Sequence, residues 1–160
     1  MKLRELLAAS DVHWSEHPAL ESEVTGLATN SHASQPGNVF IGMPGTRVDG
    51  GDFWASAIAA GAIAAVVSPE AAEKARSSGD SAACIIPATN MVQACARLAA
   101  AFYGFPAEQL TLIGVTGTNG KTTTTHLIEF LLNQTQKPIA LMGTLYTRWR
   151  GYQQTAAHTT

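Results

Sequence analysis

Short apolar runs alternate along the chain with longer segments that have helical spacing. The runs "VTGLATNS", "NVFIGMPG", "AIAAVVS" and "ACIIPA" are bounded by turn-forming residues and predict four strands. The segments "LRELLAA", "FWASAIAAG", "PEAAEKARSSG" and "TNMVQACARLAAAFYG" predict helices. Strands that alternate with helices at this spacing predict an α/β domain with largely parallel strand pairing.

Cap residues predict where two of these helices begin and end. Asp52 is placed to cap the helix through "FWASAIAAG", which would stop at Gly61. Thr89 or Asn90 offers an N-cap for the last helix, and Gly104 offers its stop.

A second unit follows the segment "GFPAEQ" at 104–109, where Gly and Pro flank a short polar turn. "LTLIGV" predicts a strand, "HLIEFLL" an amphipathic helix and "IALMGT" a further strand, so that the three would form one complete βαβ element. The tail "LYTRWRGYQQTAAHTT" fits either a hairpin or a loop. Because a nucleotide-binding α/β domain needs more strands than these, we expect it to continue beyond residue 160. We predict one domain over residues 1–105 and the beginning of a second over 106–160.

Composition narrows the class of protein. The 160 residues carry a formal net charge of −2 and are 46% hydrophobic, which suits a globular chain and gives no electrostatic reason to expect nucleic acid or a membrane surface. Glu5 and Asp11 interrupt the N-terminus where a signal peptide needs an apolar core, and the apolar run at 57–67 is too short to span a bilayer. Cys84 and Cys95 lie in apolar segments and are predicted to be buried free thiols. We expect a soluble, cytoplasmic monomer.

The segment "TGTNGKTT" at 116–123 carries the clearest chemistry. In a strand–loop–helix turn, backbone N–H groups converge on a phosphate and the helix N-terminus adds its positive end. The strict P-loop pattern is not met, since its first position falls on Val115, but the context predicts ATP with Mg²⁺. Lys121 would reach the β/γ-phosphates as the catalytic residue and Thr122 would bind Mg²⁺, whereas His126 is predicted to be structural. The predicted ATP-binding residues are Gly117, Thr118, Asn119, Gly120, Lys121, Thr122 and Thr123.

This loop, "GVTGTNGKTTTT", resembles the ATP loop of the Mur ligases, the amide-forming enzymes of peptidoglycan precursor synthesis. The segment from "LATNSHASQPGNVF" to "GAIAAVV" resembles the N-terminal domain that MurE-type and MurF-type ligases share. "MGT" at 142–144 followed by "HTT" at 158–160 resembles the MurE arrangement. The matching positions of the N-terminal segment are Pro36, Gly37, Phe40, Gly45, Asp49, Gly50 and Phe53. The resemblance implies an N-terminal α/β uridine-nucleotide-binding domain followed by the start of a P-loop α/β ATP-binding domain.

The resemblance also implies a substrate site. The usual D-S-R triplet is Asn30-Ser31-His32 here, so its charges are lost and a neutral hydrogen-bonded turn must replace them. Thr29 and Ser31 would contact the uracil edge, although the segment could also be only a polar turn.

Further implied contacts lie near the diphosphate and the muramoyl peptide. Thr46 and Arg47 would approach the diphosphate, while a solvated surface arginine is the alternative for Arg47. Asp49 and Gly50 are expected to shape this loop. The muramoyl peptide would contact His158, Thr159 and Thr160, with His158 standing where the family often has asparagine.

The parent enzyme implied by the resemblance is an ATP-dependent ligase. It would add a diamino acid, meso-diaminopimelate or L-lysine, to UDP-N-acetylmuramoyl-L-alanyl-D-glutamate through an acyl phosphate. Family members carry further magnesium ligands, a carbamylated lysine and a C-terminal domain outside these residues, so the 160 residues alone are predicted to be inactive. The alternatives are a MurF-type ligase that adds D-alanyl-D-alanine, a non-catalytic nucleotide-binding module, and a P-loop kinase or GTPase.

Overall fold

The structure is a computed structural model that describes residues 1–79 and 82–156, and the chain divides into two compact units. The first unit is Met1–Thr111 and the second is Leu112–Thr160. In the first unit the strands are β1 (Gly26–Ala28), β2 (Asn38–Ile41), β3 (Ala64–Val67) and β4 (Ile85–Pro87). Its helices are α1 (Leu3–Ala9), α2 (Trp54–Ala59), α3 (Pro69–Ser77) and α4 (Met91–Phe102). Short 3₁₀ turns cover Pro18–Glu21, Ser31–Ala33, Gly50–Phe53 and Pro106–Gln109.

The four strands of the first unit form one parallel sheet in the order β1-β2-β3-β4. The register aligns Val39 of β2 with Ala64 of β3, and Val66 of β3 with Ile86 of β4. Each crossover between neighbouring strands carries helical or 3₁₀ structure, as parallel strands require. The predicted α/β class with parallel pairing is therefore confirmed for this unit.

Successive strand residues face opposite sides of the sheet and build two cores. Val39, Ile41 and Val66 belong to the cluster that also holds buried residues of α1 and α4. Phe40 and Val67 belong to the cluster that holds buried residues of α2 and α3. This alternation follows from the two-residue period of a strand, and it leaves both faces of the sheet covered by helices.

Capping residues set the start of the long helices. Asn90 caps α4, because its side-chain oxygen accepts a hydrogen bond from the Gln93 amide at 3.0 Å. Ser68 caps α3 in the same way, accepting from the Ala71 amide at 3.1 Å. The predicted start of α4 at Thr89 or Asn90 is confirmed as Asn90.

The prediction that Asp52 caps the next helix is wrong. A 3₁₀ turn over Gly50–Phe53 precedes α2, and Asp49 rather than Asp52 caps that turn. The Asp52 carboxylate instead accepts hydrogen bonds from the ammonium of Lys74, at 2.8 and 2.9 Å. The extra turn moves the first residue of the α-helix beyond the reach of Asp52.

The second unit contains helix α5 (Lys121–Asn133) and strands β5 (Ala140–Met142), β6 (Tyr146–Trp149) and β7 (Tyr152–Thr155). The strands form an antiparallel sheet in the order β5-β6-β7. The hairpin interpretation of the tail is confirmed by β6 and β7, which turn at Gly151 with a φ of +83°.

The expected βαβ element does not form. No strand forms within residues 110–116 of the described chain, and β5 pairs with the antiparallel β6. An apolar run becomes a strand only where a neighbouring strand accepts its backbone hydrogen bonds, and none pairs with this segment here. Leu112 and Ile113 are accordingly exposed, at 69% and 56%.

The cysteines are free thiols, as predicted, with Cys84 buried and Cys95 partly buried. Burial raises the pKa of the Cys84 thiol to about 11. Among the described residues, no helix is both long and apolar enough to cross a membrane.

Candidate functional site

Two glycines shape the loop that leads into α5. Gly117 has a φ of +144° and Gly120 a φ of +78°, both in the left-handed region that favours glycine. Gly120 is the N-cap residue of α5 and has no side chain to occupy the N–H groups of the first turn. Those groups point outward at the positive end of the helix and remain available to an anion such as a phosphate.

Lys121 is the first residue of α5 and folds back over this loop. Its ammonium donates a hydrogen bond to the carbonyl oxygen of Gly117 at 2.6 Å. The side chain is half-buried, whereas Thr118, Asn119 and Thr123 are exposed. The positive charge therefore lies over the loop whose N–H groups would bind the phosphates.

A small cavity of about 100 Å³ opens beside the first turn of α5. Thr122, Thr125 and Thr144 line it, and the hydroxyl oxygens of Thr122 and Thr144 are 3.3 Å apart. Hydroxyl oxygens are ligands that Mg²⁺ accepts, and this ion usually takes only one or two groups from a protein and the rest from phosphates and water. No cluster of three or more His, Cys, Asp or Glu side chains suited to a metal occurs in the part of the chain described. The donor set fits a nucleotide-bound Mg²⁺ and does not form a metal cage of its own.

His126 links α5 to strand β6 at the edge of this cavity. Its Nδ1 is 2.6 Å from the carbonyl oxygen of Thr122, and its Nε2 is 2.6 Å from the hydroxyl of Tyr146. A carbonyl can only accept, so Nδ1 carries the proton and, in the neutral ring, Nε2 accepts from the Tyr146 hydroxyl. Sequence reasoning identified His126 as structural but missed Tyr146, because no local pattern joins residues twenty positions apart.

A partly buried ion pair supports the same tyrosine. Glu129 is 8% exposed, and both of its carboxylate oxygens accept hydrogen bonds from Arg148, one from Nε at 2.6 Å. The Arg148 guanidinium holds the pKa of the Glu129 carboxyl below its usual range. The same guanidinium lies over the Tyr146 ring, 4.7 Å from its centre. The sequence offered no signal for this pair beyond opposite charge.

In the first unit, the candidate substrate residues follow the carboxyl ends of parallel strands. Thr29 and Ser31 come after β1, and the loop with Thr46 and Arg47 comes after β2. Carboxyl ends of parallel strands share one edge of the sheet, where open α/β sheets bind ligands. The topology therefore brings these four residues to the same edge.

The segment after β1 forms a turn that a side-chain hydrogen bond stabilises. The Asn30 side-chain oxygen accepts a hydrogen bond from the His32 amide at 3.0 Å and caps the 3₁₀ turn that starts at Ser31. This is the neutral hydrogen-bonded turn expected in place of the usual charged triplet. Ser31 is only 6% exposed, and its hydroxyl bonds to none of the other described residues. That hydroxyl is therefore available to a ligand, beside the exposed Thr29.

The loop after β2 is closed at its base. The Gly45 amide donates to the Val48 carbonyl at 3.0 Å, and Pro44 and Asp49 form an antiparallel bridge. Thr46 and Arg47 lie exposed between these contacts, at the tip of the loop.

Asp49 and Gly50 hold that base in place. One Asp49 carboxylate oxygen accepts from the Gly51 amide at 2.8 Å, and the other accepts from the hydroxyl of Ser68. A Cβ added at Gly50 would lie 2.4 Å from the Met43 carbonyl oxygen, so no larger residue fits there. These contacts fit the expectation that both residues shape the loop.

The predicted contacts with the muramoyl peptide, His158, Thr159 and Thr160, lie outside the described residues. The preceding Thr144 of the same motif is described, and it lines the cavity beside Thr122.

Two family models match the chain in sequence order. Residues 23–103 match "Mur ligase family, catalytic domain", and residues 115–160 match "Mur ligase middle domain". This chain belongs to the Mur ligase family. Together the two models cover the parallel sheet of the first unit and the glycine loop, α5 and hairpin of the second.

Relatives with high identity bear one name. The chain is 63% identical, over its whole length, to a protein of Trichormus variabilis named UDP-N-acetylmuramoyl-L-alanyl-D-glutamate–2,6-diaminopimelate ligase. Proteins with the same name from Thermosynechococcus vestitus and Gloeobacter violaceus are 58% and 54% identical, again over the whole chain. The chain spans about a third of the length of these curated relatives, 31–32%.

Solved structures of Mur ligases share the fold. A structure of a UDP-N-acetylmuramoyl-L-alanyl-D-glutamate–2,6-diaminopimelate ligase aligns with all of this chain and 30% of its own, with a TM-score of 0.68 and 21% identity. A MurF structure from Acinetobacter baumannii aligns with 83% of this chain and 27% of its own, with a TM-score of 0.58 and 23% identity. At these identities the structures establish the architecture of the Mur ligase domains and nothing finer.

Proposed function

We propose that these residues belong to an ATP-dependent ligase that adds meso-diaminopimelate to UDP-N-acetylmuramoyl-L-alanyl-D-glutamate, in the cytoplasm. Residues 1–105 would form the domain that binds the UDP-muramoyl substrate, and residues 106–160 the beginning of the ATP-binding domain. The observation that carries the proposal is 63% identity, over the whole chain, to a relative that bears this ligase's name. The MurF-type alternative has no such support, and the relatives' names favour diaminopimelate over L-lysine.

The glycine loop and the start of α5 would bind ATP. The N–H groups beyond Gly117 and Gly120 suit the phosphates, and Thr118, Asn119 and Thr123 lie exposed on the same turn. Lys121, now hydrogen-bonded to the Gly117 carbonyl, would turn its ammonium to the β/γ-phosphates. Thr122 would offer its hydroxyl to Mg²⁺, which, when bound, would neutralise charge on the phosphate oxygens.

The reaction begins from a carboxylate, which is a poor electrophile. Transfer of the γ-phosphoryl group of ATP to the D-glutamate γ-carboxylate forms an acyl phosphate and ADP. The amine of the diamino acid attacks the acyl carbon, the amide forms, and inorganic phosphate leaves. Lys121 is the catalytic residue of this chain, because its charge would meet the negative charge that the transferring oxygens carry.

The edge of the parallel sheet would bind the UDP-muramoyl substrate. The free hydroxyl of the buried Ser31, next to Thr29, suits a uracil edge. Thr46 and Arg47, at the tip of the loop after β2, suit the diphosphate, since a guanidinium pairs with two phosphate oxygens at once. His158, Thr159 and Thr160 would contact the muramoyl peptide.

A competition experiment tests the proposal. The full-length protein that carries this sequence is titrated with ATP, GTP and UDP-N-acetylmuramoyl-L-alanyl-D-glutamate by calorimetry. We expect binding of ATP and the UDP-muramoyl dipeptide together, little binding of GTP, and loss of ATP binding alone in Lys121→Ala. Preference for GTP, or competition between ATP and the UDP compound for one site, would overturn the proposal.

A further inference from the structure

The hydroxyl of Thr122 contacts a residue of the β5–β6 region, and its carbonyl contacts His126, which that region holds through Tyr146. The Thr122 hydroxyl lies 3.3 Å from that of Thr144, which precedes β6. The Thr122 carbonyl accepts from His126 Nδ1 at 2.6 Å, and His126 Nε2 meets the hydroxyl of Tyr146, in β6, at 2.6 Å. These hydrogen bonds, together with the backbone from Thr144 to Tyr146, therefore form a closed network beside the small cavity.

Two side chains donate hydrogen bonds to the Thr122 carbonyl. Besides His126, it accepts a hydrogen bond from the hydroxyl of Thr125 at 2.9 Å. Two side-chain donors on one carbonyl restrict rotation of the peptide unit next to it. They thereby restrict the direction in which the Thr122 side chain leaves the helix.

Tyr146, at the strand end of this network, is itself held in place by two further contacts. The Tyr146 ring packs edge-on against the His126 ring, with centres 5.4 Å apart, and lies under the guanidinium of Arg148. Arg148 is fixed by the buried carboxylate of Glu129, one turn further along α5. The tyrosine hydroxyl is thus presented to His126 from a rigid position and would not move away when the imidazole turns.

We propose that His126 is a positioning residue that orients the Thr122 hydroxyl toward Mg²⁺, and that Tyr146 holds the His126 ring against the Thr122 carbonyl. The proposal rests on the proposed function, because it takes ATP with Mg²⁺ as the ligand of this loop. The chemistry is that of an outer-sphere partner: His126 never touches the ion but fixes the group that does. The Thr144 hydroxyl is the partner of the Thr122 hydroxyl in this structure, and Thr122 would offer that oxygen to Mg²⁺ in its place.

The first measurement needs no nucleotide. Nitrogen-15 chemical shifts of the His126 ring are recorded in the nucleotide-free, full-length protein that carries this sequence. We expect a protonated Nδ1 and an unprotonated Nε2. In Tyr146→Phe, which removes only the phenol oxygen, we expect Nδ1 to stay protonated and the Nε2 signal to shift because that nitrogen loses its hydrogen-bond donor. Protonation at Nε2 in the neutral ring of the unmutated protein would overturn the proposal, whether or not the protein binds ATP.

The second measurement compares ATP affinity with Mg²⁺ and with a chelator. His126→Ala should lower the affinity for ATP with Mg²⁺ by about tenfold and change the affinity without Mg²⁺ much less. His126→Gln, which keeps one donor and one acceptor, should restore most of the loss. Tyr146→Phe should act in the same direction, and adding it to His126→Ala should cause no further loss, since both changes break one link.

The matched control is Tyr152→Phe, which makes the same chemical change in β7, where the phenol donates to Gln154. It should leave both affinities unchanged. The proposal would be overturned if His126→Ala lowered the ATP affinity equally with and without Mg²⁺. It would also be overturned if the loss of ATP binding matched the fraction of unfolded protein, because His126 would then have only a structural role. Failure of the unmutated protein to bind ATP at all would instead refute the proposed function, while the imidazole shifts would still decide the hydrogen-bond link.

Discussion

Replacing Asp49 by alanine should lower the free energy of unfolding of the first unit, because Asp49 holds the base of the loop that carries Thr46 and Arg47. The carboxylate is the N-cap of the 3₁₀ turn, accepting from the Gly51 amide at 2.8 Å. It also accepts from the Ser68 hydroxyl, which in turn caps α3. One substitution therefore removes a cap and leaves a second capping residue without its acceptor.

The magnitude follows from those two contacts. Loss of a cap costs about 1 kcal/mol. A hydrogen bond from a part-buried hydroxyl to a charged group contributes about 1.5–3 kcal/mol, and part of this is recovered if water reaches Ser68. We expect the free energy of unfolding to fall by about 2–3 kcal/mol. With a urea slope of about 2 kcal/mol/M, the midpoint would fall by about 1–1.5 M.

The assay is urea unfolding of the 160-residue chain, followed by circular dichroism. Asp52→Ala is the matched control, because this aspartate lies three residues away and, among the described residues, its carboxylate pairs with the exposed Lys74 alone. The control should change the midpoint little. In the full-length protein, Asp49→Ala should also weaken binding of the UDP-muramoyl dipeptide while ATP binding is kept. An unchanged midpoint for Asp49→Ala, or an equal loss in Asp52→Ala, would refute this reasoning.

Further predictions concern a glycine, a cysteine and the activity of the chain alone. Gly50→Ala should destabilise the first unit in urea unfolding, because the added Cβ would lie 2.4 Å from a backbone oxygen, and unchanged stability would contradict the close approach. Burial raises the pKa of Cys84 from its usual value of 9.0 to about 11 in the folded state, so its contribution to stability is complete below about 9 and is lost toward 11. Urea midpoints measured between pH 8 and 11 should therefore fall less steeply in Cys84→Ala, and parallel curves would show that the thiol does not contribute. The 160 residues alone should form no amide from ATP, the UDP-muramoyl dipeptide and diaminopimelate, and product detected by mass spectrometry would contradict this expectation.

Much of the first unit could be predicted because its signals are local. Buried strands such as Val39–Ile41 are short apolar runs between turn residues, and Asn90 is a typical cap in front of an apolar helix. The 3₁₀ turn before α2 was missed because the same residues also fit the first turn of a longer α-helix. That single turn decides whether Asp49 or Asp52 is the cap.

The second unit shows the limit of local signals. Residues 110–115 have strand composition, but a strand also requires a pairing partner, and composition does not supply one. The contacts of α5 with the strand region join residues that are at least 19 positions apart. They are the contacts of Glu129 with Arg148, His126 with Tyr146, and Thr122 with Thr144. Neither helical nor strand periodicity extends over such separations, so only the folded chain reveals these contacts.

Amine-dependent phosphate release by the full-length protein that carries this sequence is the most direct test of the proposed ligase. The protein is supplied with ATP, Mg²⁺ and UDP-N-acetylmuramoyl-L-alanyl-D-glutamate, with meso-diaminopimelate in one reaction and L-lysine in another. We predict release with meso-diaminopimelate, little with L-lysine, and none from Lys121→Ala. No release with either amine, while the UDP-muramoyl dipeptide still binds, would contradict the account and favour a MurF-type or non-catalytic protein.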